Sequence, residues 1–451
     1  MKLFTSDRTF YRSFWVLTIT LMLEQAVILS VNLADNIMLG RFEEHALAGV
    51  AAVNQIQFVL QQVVYAVSNG MIILGSQYWG QGRVSEVRQF AAIAMRVALL
   101  ITLALFIAVS IAPVQALRLF TPDALIIEQG VRYLSIIRFS YVFFGITAIL
   151  LGTLRIAESV RIALVVSLIS LLINCSINYV LIFGHFGFPT MGVQGAAIGT
   201  LIARVIECGI VAIFALQREE RIRLRIKDFF QFNVALLRDF VRVATPVILT
   251  QLLWGVSNAL QTVILGHMSD VAIAAQSISS NIFLLLKVAS VGAASSASIL
   301  VGRAIGENKT MDEMKAYTRT LQALFLLIGM VLGCALFIIR IPMLRIYRIS
   351  DATRTLANQY MLIQSVVLVT MSYQMPVNAG IIRGGGDTRF IMIVDLISIW
   401  GIVLPLSFLA AFVWKCAPVI VIMLLNSDQV FKCVPAFVRV NSYKWIKKLT
   451  R

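Results

Sequence analysis

The sequence predicts an all-α membrane protein built from two equivalent halves, and three observations carry that prediction. Hydrophobic residues make up 59% of the 451 residues and charged residues 13%, with a mean hydropathy of +0.88, whereas soluble domains are about half apolar and about a quarter charged. Charge-poor runs long enough to span a bilayer occur twelve times. When Gln25 is placed on Gln251, the front half also aligns with the back half without a gap.

The predicted spans are runs of roughly 20 or more mostly apolar residues, the length at which a helix satisfies its own backbone across hydrocarbon. They lie near residues 14–39, 46–78, 90–112, 132–153, 162–183, 197–216, 244–266, 271–302, 318–339, 359–381, 390–413 and 417–435. The first run follows basic residues, as the apolar part of a signal peptide does. It contains Glu24 and no small-residue cleavage site, so we expect it to remain in the protein.

The internal repeat gives the domain organisation. In the alignment of Gln25 with Gln251, twelve of 58 positions between Leu23 and Gly80 are identical in the two halves, and with small register shifts Arg155 recurs at Arg383 and Tyr133 at Tyr360. Six spans per half is an even number, so both halves enter from the same face and the repeat is parallel. We predict an N-terminal six-helix lobe, a cytoplasmic linker and a C-terminal six-helix lobe at 1–216, 217–243 and 244–451.

Basic residues between the spans predict the orientation. The side shared by the two termini carries 26 Lys and Arg and the opposite side carries 8, and positive loops stay in the cytoplasm. We therefore expect a multi-pass protein of the cell membrane, inner or plasma, with both termini cytoplasmic. The net charge of +16 is then a topology signal with attraction to lipid headgroups, so the expected partner is the bilayer and not nucleic acid. The charged linker is interpreted either as an amphipathic segment on the headgroups or as a solvated connector.

Several kinds of chemistry are excluded by composition. The five cysteines show no CxxC spacing and the three histidines lie outside the predicted spans, which excludes a disulfide framework and a histidine-based metal or catalytic centre within the membrane. An intramembrane transferase would need paired Asp-rich metal motifs or a nucleophile with a base, and the sequence has neither. We expect no enzymatic activity, no cofactor and no metal other than a sodium ion.

The first predicted helix carries a polar stripe. Glu24 and Asp35 are eleven residues apart, which at 100° per residue returns them to within about 20° of each other, and Gln25, Asn32 and Asn36 fall in the same arc. An ionisable side chain in hydrocarbon costs about 3 kcal/mol, so each needs a partner or a task. Asp35 is interpreted as an ion or proton site facing a cavity, or else as an idle interfacial carboxylate. Glu24 is interpreted as a second titrating group or as the structural partner of a buried cation.

Helices five and six add further polar residues. Asn174 and Asn178 continue a strip of serines along helix five; their oxygens suit a sodium ion, and hydrogen bonding between packed helices is the alternative. Arg204 and Glu207 on helix six have the i, i+3 spacing of an ion pair and are interpreted, together with Arg138, as a structural charge cluster.

The second half carries amides where the first carries acids. Helix seven holds Gln251, Asn258 and Gln261 without a carboxylate. Lys287 lies deep in helix eight, where it is interpreted as a counter-ion for Glu24 or Glu207, or as a lysine that extends to the interface. Titrating acid is therefore concentrated in the first half.

Five stretches taken together resemble the multidrug and toxic compound extrusion (MATE) family. They are ADNIMLGRF (34–42) with its echo LQTVILGHM (260–268), GFPTMGVQGAAIGT (187–200), RGGGDTR (383–389) and NSDQVFKCVPAF (426–437). The resemblance extends over essentially the whole chain. It implies twelve helices in two lobes around a central V-shaped cleft, and export of amphipathic, often cationic compounds by antiport with protons or sodium.

The resemblance also implies site residues. The family's first-helix aspartate falls on Asp35, and the associated cation site falls on Asn174, Asn178 and Thr200. Many relatives have a carboxylate where this chain has Asn178, so coupling is expected to rest mainly on Asp35, with Glu24 as the candidate for a second titrating group. The polar residues expected to line the cleft are Gln25, Asn32, Asn36, Gln251, Asn258 and Gln261.

We therefore predict a monomeric, proton- or sodium-coupled exporter of a small amphipathic substrate. The alternative is a flippase for a lipid-linked saccharide or another lipid, since related two-lobed folds perform that function. A flippase needs a cationic cleft for a pyrophosphate, and Lys287, Arg138 and Arg204 are the residues that favour it.

Overall fold

The computed structural model describes residues 4–231, 233–347 and 349–450, and the regular structure in these ranges is helical, with no β-strand. The α-helices are α1 (Arg8–Phe42), α2 (Glu44–Gly80), α3 (Val84–Ile111), α4 (Pro113–Arg118), α5 (Ala124–Ile137), α6 (Ser140–Ile156), α7 (Arg161–Phe183), α8 (Val193–Ile213), α9 (Val234–Gly266), α10 (Asp270–Gly306), α11 (Met311–Ile346), α12 (Asp351–Met375), α13 (Thr388–Asp395), α14 (Leu404–Phe408), α15 (Pro418–Leu425), α16 (Asp428–Phe431) and α17 (Cys433–Ser442). Short 3-10 turns cover His185–Gly187 and Ile226–Phe230, and π-helical stretches cover Phe214–Arg218, Pro376–Ile382, Leu396–Val403 and Leu409–Val413.

The predicted all-α polytopic fold is confirmed, with eleven to twelve candidate spans in the ranges given above against the twelve predicted. Among the described residues, eleven helical segments are long and apolar enough to cross a membrane, and α5 with α6 forms a twelfth that is bent by 55°. The bent pair covers the predicted fourth span. The last two spans, Thr388–Val413 and Pro418–Ser442, each run through several of the labelled helices.

Packing divides the chain into two compact units whose boundaries do not follow the halves of the sequence. The N-terminal unit comprises Leu23–Gly75 and Gly82–Ala244, and the C-terminal unit comprises Met1–Met22, Ser76–Gln81 and Thr245–Arg451. The chain therefore passes from one unit to the other within α1 and within α2. The predicted lobes at 1–216 and 244–451 divide the chain by sequence repeat, and that division stays a prediction.

The ends of α2 and α10 cross inside the C-terminal unit at residues that the repeat makes equivalent. A Cβ atom on Gly306 would overlap the Gln77 carbonyl and lie 3.0 Å from Gly80 Cα, and one on Gly302 would lie 2.8 Å from Ser76 Oγ. Gly80 aligns with Gly306, and Ser76 aligns with Gly302, in the same gap-free alignment that pairs Gln25 with Gln251. The repeat therefore brings equivalent residues of its two copies into contact inside this unit.

Each repeat has its own apolar core, and a tyrosine recurs in both. Tyr133 on α5 is 3% exposed and packs with residues of α2 and α6. Its equivalent Tyr360 on α12 is fully buried in the corresponding cluster of the second repeat. The repeated tyrosine therefore marks equivalent places in the two cores.

The linker packs on α3. Arg88 donates from Nε to the carbonyl of Ile222 at 2.6 Å, and Arg96 donates to the carbonyl of Phe229 at 2.8 Å. Ile222 and Leu224 are buried. The sequence analysis considered a headgroup-bound or a solvated connector and did not predict this docking, which depends on arginines that lie far from the linker along the chain.

Candidate functional site

Asp35 lies on the part of α1 that belongs to the N-terminal unit, and its carboxylate reaches another helix. The Asn178 amide on α7 donates from Nδ2 to Asp35 Oδ1 at 2.6 Å. Asp35 is half-buried and Asn178 is fully buried. The carboxylate is therefore held by a specific donor inside the unit.

The hydrogen bonds continue from Asn178 to the other residues implied by the family resemblance. Asn178 Nδ2 also donates to Asn174 Oδ1 one turn earlier on α7, at 3.2 Å. Asn174 Nδ2 donates to Thr200 Oγ1 on α8 at 3.1 Å. The structure thus joins all four predicted residues in one chain across α1, α7 and α8, while their role in binding an ion stays a prediction.

Glycines on α8 allow this close approach to α7. A Cβ atom on Gly195 would lie 2.7 Å from the Leu181 backbone, and one on Gly199 would overlap Asn178 Oδ1. That oxygen is buried without a hydrogen-bond partner. Because Gly199 leaves room for the oxygen, the amide nitrogen of Asn178 is free to face Asp35.

Two further side chains belong to this neighbourhood. The Tyr133 hydroxyl on α5 lies beside Thr200, a contact that sequence reasoning missed although the recurrence of the tyrosine at Tyr360 singled it out. Arg204 acts electrostatically on Asp35, but it is paired with Glu207 at 2.9 Å. Arg204 is therefore shared between its partner Glu207 and the neighbourhood of Asp35.

The predicted charge cluster of Arg138, Arg204 and Glu207 forms in part. Arg204 pairs with Glu207 as expected and also lies 5.4 Å from the centre of the Phe144 ring. Arg138 instead lies against the rings of Phe106 and Phe139, at 5.7 and 5.3 Å. Aromatic faces attract a guanidinium group, so Arg138 is accommodated by ring contacts where the sequence analysis expected charges.

Glu24 forms a buried ion pair with Arg155 of α6. The Arg155 guanidinium lies 2.6 Å from Glu24 Oε1, and the side chains are 15% and 2% exposed. This contact matches the interpretation of Glu24 as the structural partner of a buried cation. Sequence reasoning proposed Lys287 for that cation and missed Arg155, for which its recurrence at Arg383 was the available signal.

The residues predicted to line a cleft are half-buried or exposed, and the hydrogen bonds of two of them stay within their own helix. Gln25 is half-buried, and Asn32 and Asn36 are exposed. On α9, Gln251 is half-buried, Asn258 donates to the Trp254 carbonyl at 3.2 Å and Gln261 donates to Ser257 Oγ at 3.2 Å, both within the helix. Lys287 on α10 lies 5.0 Å from the centre of the Trp254 ring. Its role as a counter-ion for Glu24 or Glu207 stays a prediction.

The C-terminal unit contains a charge cluster to which the sequence analysis assigned no role. The Lys432 ammonium lies 2.8 Å from Asp395 Oδ1 and 3.1 Å from Asp428 Oδ2. Lys287 acts electrostatically on Asp428, and Arg383 acts on Asp395. Lys432 therefore bridges the two carboxylates of this cluster.

Comparisons with known proteins decide the family. The MatE family model matches residues 21–180 and 246–409, one match in each repeat. The chain belongs to the MATE family. Over 437 residues it is 26% identical to the probable multidrug resistance protein NorM of Thermotoga maritima, covering 96% of this chain and 93% of that protein. It is also 26% identical to the uncharacterized transporter YisQ of Bacillus subtilis, over 90% of this chain and 88% of that protein.

The fold of this MATE protein is shared with solved structures. A MATE transporter of Vibrio cholerae, VcmN, superposes with a TM-score of 0.87 at 16% identity, covering 98% of both chains. The resemblance inferred from the sequence stretches is therefore confirmed. Membership places the chain among multi-pass membrane transporters and not among enzymes.

Proposed function

We propose that this MATE protein exports amphipathic, cationic compounds by alternating access, in exchange for protons or sodium ions that bind at Asp35. The observation that supports this is the hydrogen-bonded chain from Asp35 through Asn178 and Asn174 to Thr200, which ties one half-buried carboxylate to three helices. The relatives NorM of Thermotoga maritima and MdtK of Edwardsiella ictaluri are named as multidrug resistance proteins. Their names support an efflux function here.

The coupling follows from the charge of one side chain. A proton or a sodium ion at Asp35 neutralises the carboxylate that now accepts the Asn178 hydrogen bond, and this changes how strongly α1 is held to α7. An ion shifts a conformational equilibrium only through unequal affinity for the two states. The proposal therefore requires that the contact between Asp35 and Asn178 differ between the two states.

Uptake of a cationic fluorescent dye tests this function. The purified protein is placed in liposomes, and dye movement is measured with a pH gradient alone, a sodium gradient alone and no gradient. Dye accumulation under one gradient supports antiport and identifies the ion. Dye that only equilibrates, at the same rate under all three conditions, would overturn the proposal.

The rival function, lipid flipping, is tested in the same liposomes. The pairing of Arg204 with Glu207 offsets one of the three cations that favoured a pyrophosphate site, and the other two, Arg138 and Lys287, lie against aromatic rings. A fluorescent lipid probe reports transbilayer movement. Movement of the probe without any dye transport would favour the flippase.

We also propose that both termini are cytoplasmic and that the transporter is a monomer in the cell membrane. Tyr317 donates to Asp7 Oδ2 at 2.8 Å and Lys448 donates to Asn308 Oδ1 at 2.8 Å, so both ends of the chain lie beside the connection between α10 and α11. The excess of basic residues on that side supports the cytoplasmic assignment. Labelling of single cysteines near each end by an impermeant maleimide in intact cells tests it, and efficient labelling would contradict it.

A further inference from the structure

The last described residues, 443–450, fold back on the second repeat; we call this segment the C-terminal strap. It packs on the turn at 383–387, between the π-helical stretch Pro376–Ile382 and α13. Trp445 is fully buried and donates from its indole nitrogen to the Val440 carbonyl at 2.8 Å. A Cβ atom on Gly385 would overlap the Trp445 ring, and the Lys447 amide donates to the Gly385 carbonyl at 2.9 Å. The glycine-rich turn is thus shaped to hold the strap.

Charges strengthen the attachment of the strap to the second repeat. Asp387, which is 2% exposed, accepts from Lys447 Nζ at 2.5 Å and also pairs with Arg439. Lys448 reaches Asn308 at the end of α10, at 2.8 Å. Release of the strap would take Lys447, one of the two cations of the buried Asp387, and a buried charge that loses a partner is costly, so the strap stays on this turn.

The opposite edge of the strap holds the end of α2 through uncharged contacts. Gln77 donates from Nε2 to the Lys447 carbonyl at 3.1 Å and accepts from the Leu449 amide at 2.9 Å. Gln81 donates to Thr450 Oγ1 at 2.6 Å. These three neutral hydrogen bonds give the strap a weaker edge, because neutral bonds are roughly half as strong as charge-assisted ones.

The weaker edge lies at the crossing of α2 and α10. Gln77 and Gln81 flank the place where Gly80 and Gly306 touch. A latch between the strap and α2 requires that the ends of α2 and α10 separate at this crossing in one state of the alternating-access cycle. Such a separation breaks the bonds from the strap to α2 and leaves the bonds from the strap to its own turn intact.

We propose that the C-terminal strap is a latch. It remains bound to the turn at 383–387 and, in the conformation seen here, holds the end of α2 against α10. When the ends of α2 and α10 separate, the strap detaches from α2. The proposal rests on alternating access as the proposed function. The latch predicts that Gln81 and Thr450 separate once in every cycle, whereas Asn308 and Lys448 stay together.

Reversible cross-linking tests the latch. In protein whose five native cysteines are replaced by alanine, Gln81→Cys with Thr450→Cys is joined by a short, reducible bis-maleimide, and dye transport is measured in liposomes. We expect at least a tenfold loss that is restored by reductant. The matched control, Asn308→Cys with Lys448→Cys, is expected to transport equally well when linked. Full transport by the linked 81/450 pair, or equal loss in the control, would overturn the latch.

A second measurement does not depend on transport. The rate at which an impermeant maleimide labels Gln81→Cys is compared between the full chain and a protein that ends at Ser442, with Gln77→Ala in the full chain as the milder variant. Both changes are expected to raise the labelling rate several-fold, the truncation more than the substitution. Unchanged rates would contradict the latch even if transport is normal. If the labelling rates rise but the full-length protein moves no dye, the contact between the strap and α2 is supported and the proposed function is rejected.

Discussion

At equivalent positions the two repeats use their polar side chains differently. Asp35 in the first repeat is bonded to Asn178, far away in the chain on another helix. Its aligned counterpart in the second repeat, Gln261, is bonded to Ser257 one turn back on its own helix. In the register that places Arg161 at the start of α7 on Arg389, Asn178 corresponds to Leu406. The two repeats therefore share the fold, but at this position only the first has a carboxylate, and that carboxylate is bonded to another helix.

The same contrast holds for Glu24, the other acidic residue of the polar stripe on α1. Glu24 is paired with Arg155 on α6, whereas its counterpart Thr250 bonds to the carbonyl of Pro246 within α9, at 2.8 Å. Arg383, the counterpart of Arg155, acts instead on Asp395. The arginine that joins α6 to α1 in the first repeat therefore has a counterpart in the second repeat that acts on α13.

The largest effect is expected at Asp35. Asp35→Asn should abolish gradient-driven dye export because the neutral amide binds neither a proton nor a cation in exchange, while Gln261→Asn at the equivalent position should export normally. Transport in liposomes under the effective gradient is the measurement, with protein yield in the membrane as the control for folding. An equal loss of dye export in both variants would contradict the idea that only the first repeat binds the coupling ion.

The buried ion pair gives the next largest effect. Glu24→Gln should lower the free energy of unfolding by about 3–5 kcal/mol, because it leaves the charge of Arg155 buried without a partner. Thr250→Val at the equivalent position should change it by less than about 1 kcal/mol, since its hydroxyl bonds only to its own helix. Thermal or denaturant unfolding in detergent measures both. The double variant Glu24→Gln with Arg155→Met should recover part of the loss, and a fully additive loss would argue against the pair.

Gly199 should show an intermediate effect. Gly199→Ala places a methyl group on Asn178 Oδ1, and overpacking of this kind costs about 1–3 kcal/mol. The matched control is Gly209→Ala on the same helix, where an added Cβ meets nothing within 4 Å. Stability and the ion concentration for half-maximal transport are measured for both. Equal results for the two alanines would mean that Gly199 does not position Asn178.

The smallest effect concerns the caps of α1 and α9, which the repeat also makes equivalent. Asp7 accepts from the amides of Thr9 and Phe10, and Asn233, its aligned counterpart in the second repeat, caps α9 in the same way. Alanine at either position should cost about 1 kcal/mol at neutral pH.

Only the Asp7 contribution should depend on pH. The hydrogen bond from Tyr317 holds the pKa of Asp7 below its ordinary value of 3.8, with the capping amides acting in the same direction. A lowered pKa in the folded state means that the stabilisation is present above pH 3.8 and is lost as the pH falls through the folded-state value. Unfolding measured between pH 3 and 7 checks this. A parallel loss for Asn233→Ala would assign the pH dependence to another group.

How much could be predicted from the sequence differs between the fold and the site. The spans were correct because the need to satisfy backbone groups in hydrocarbon acts on each stretch of about 20 residues by itself. The grouping of Asn174, Asn178 and Thr200 near Asp35, which the structure shows, came from the family resemblance. Arg155 as the partner of Glu24 was missed, since the two lie far apart in the chain and each looks alone like any intramembrane charge. The strap was missed because a Trp-Ile-Lys-Lys tail resembles an ordinary basic terminus.

The sequence by itself therefore determined the helical class, the number of spans and the duplication, because hydropathy and periodicity are local properties that repeat along the chain. Only the tertiary structure decided that Glu24 pairs with Arg155, that α1 and α2 each pass from one compact unit to the other, and that the strap binds the end of α2. A hydrogen bond or ion pair depends on which helix faces which, to within a fraction of a turn. That orientation is set by glycine contacts and core packing between segments far apart in the chain.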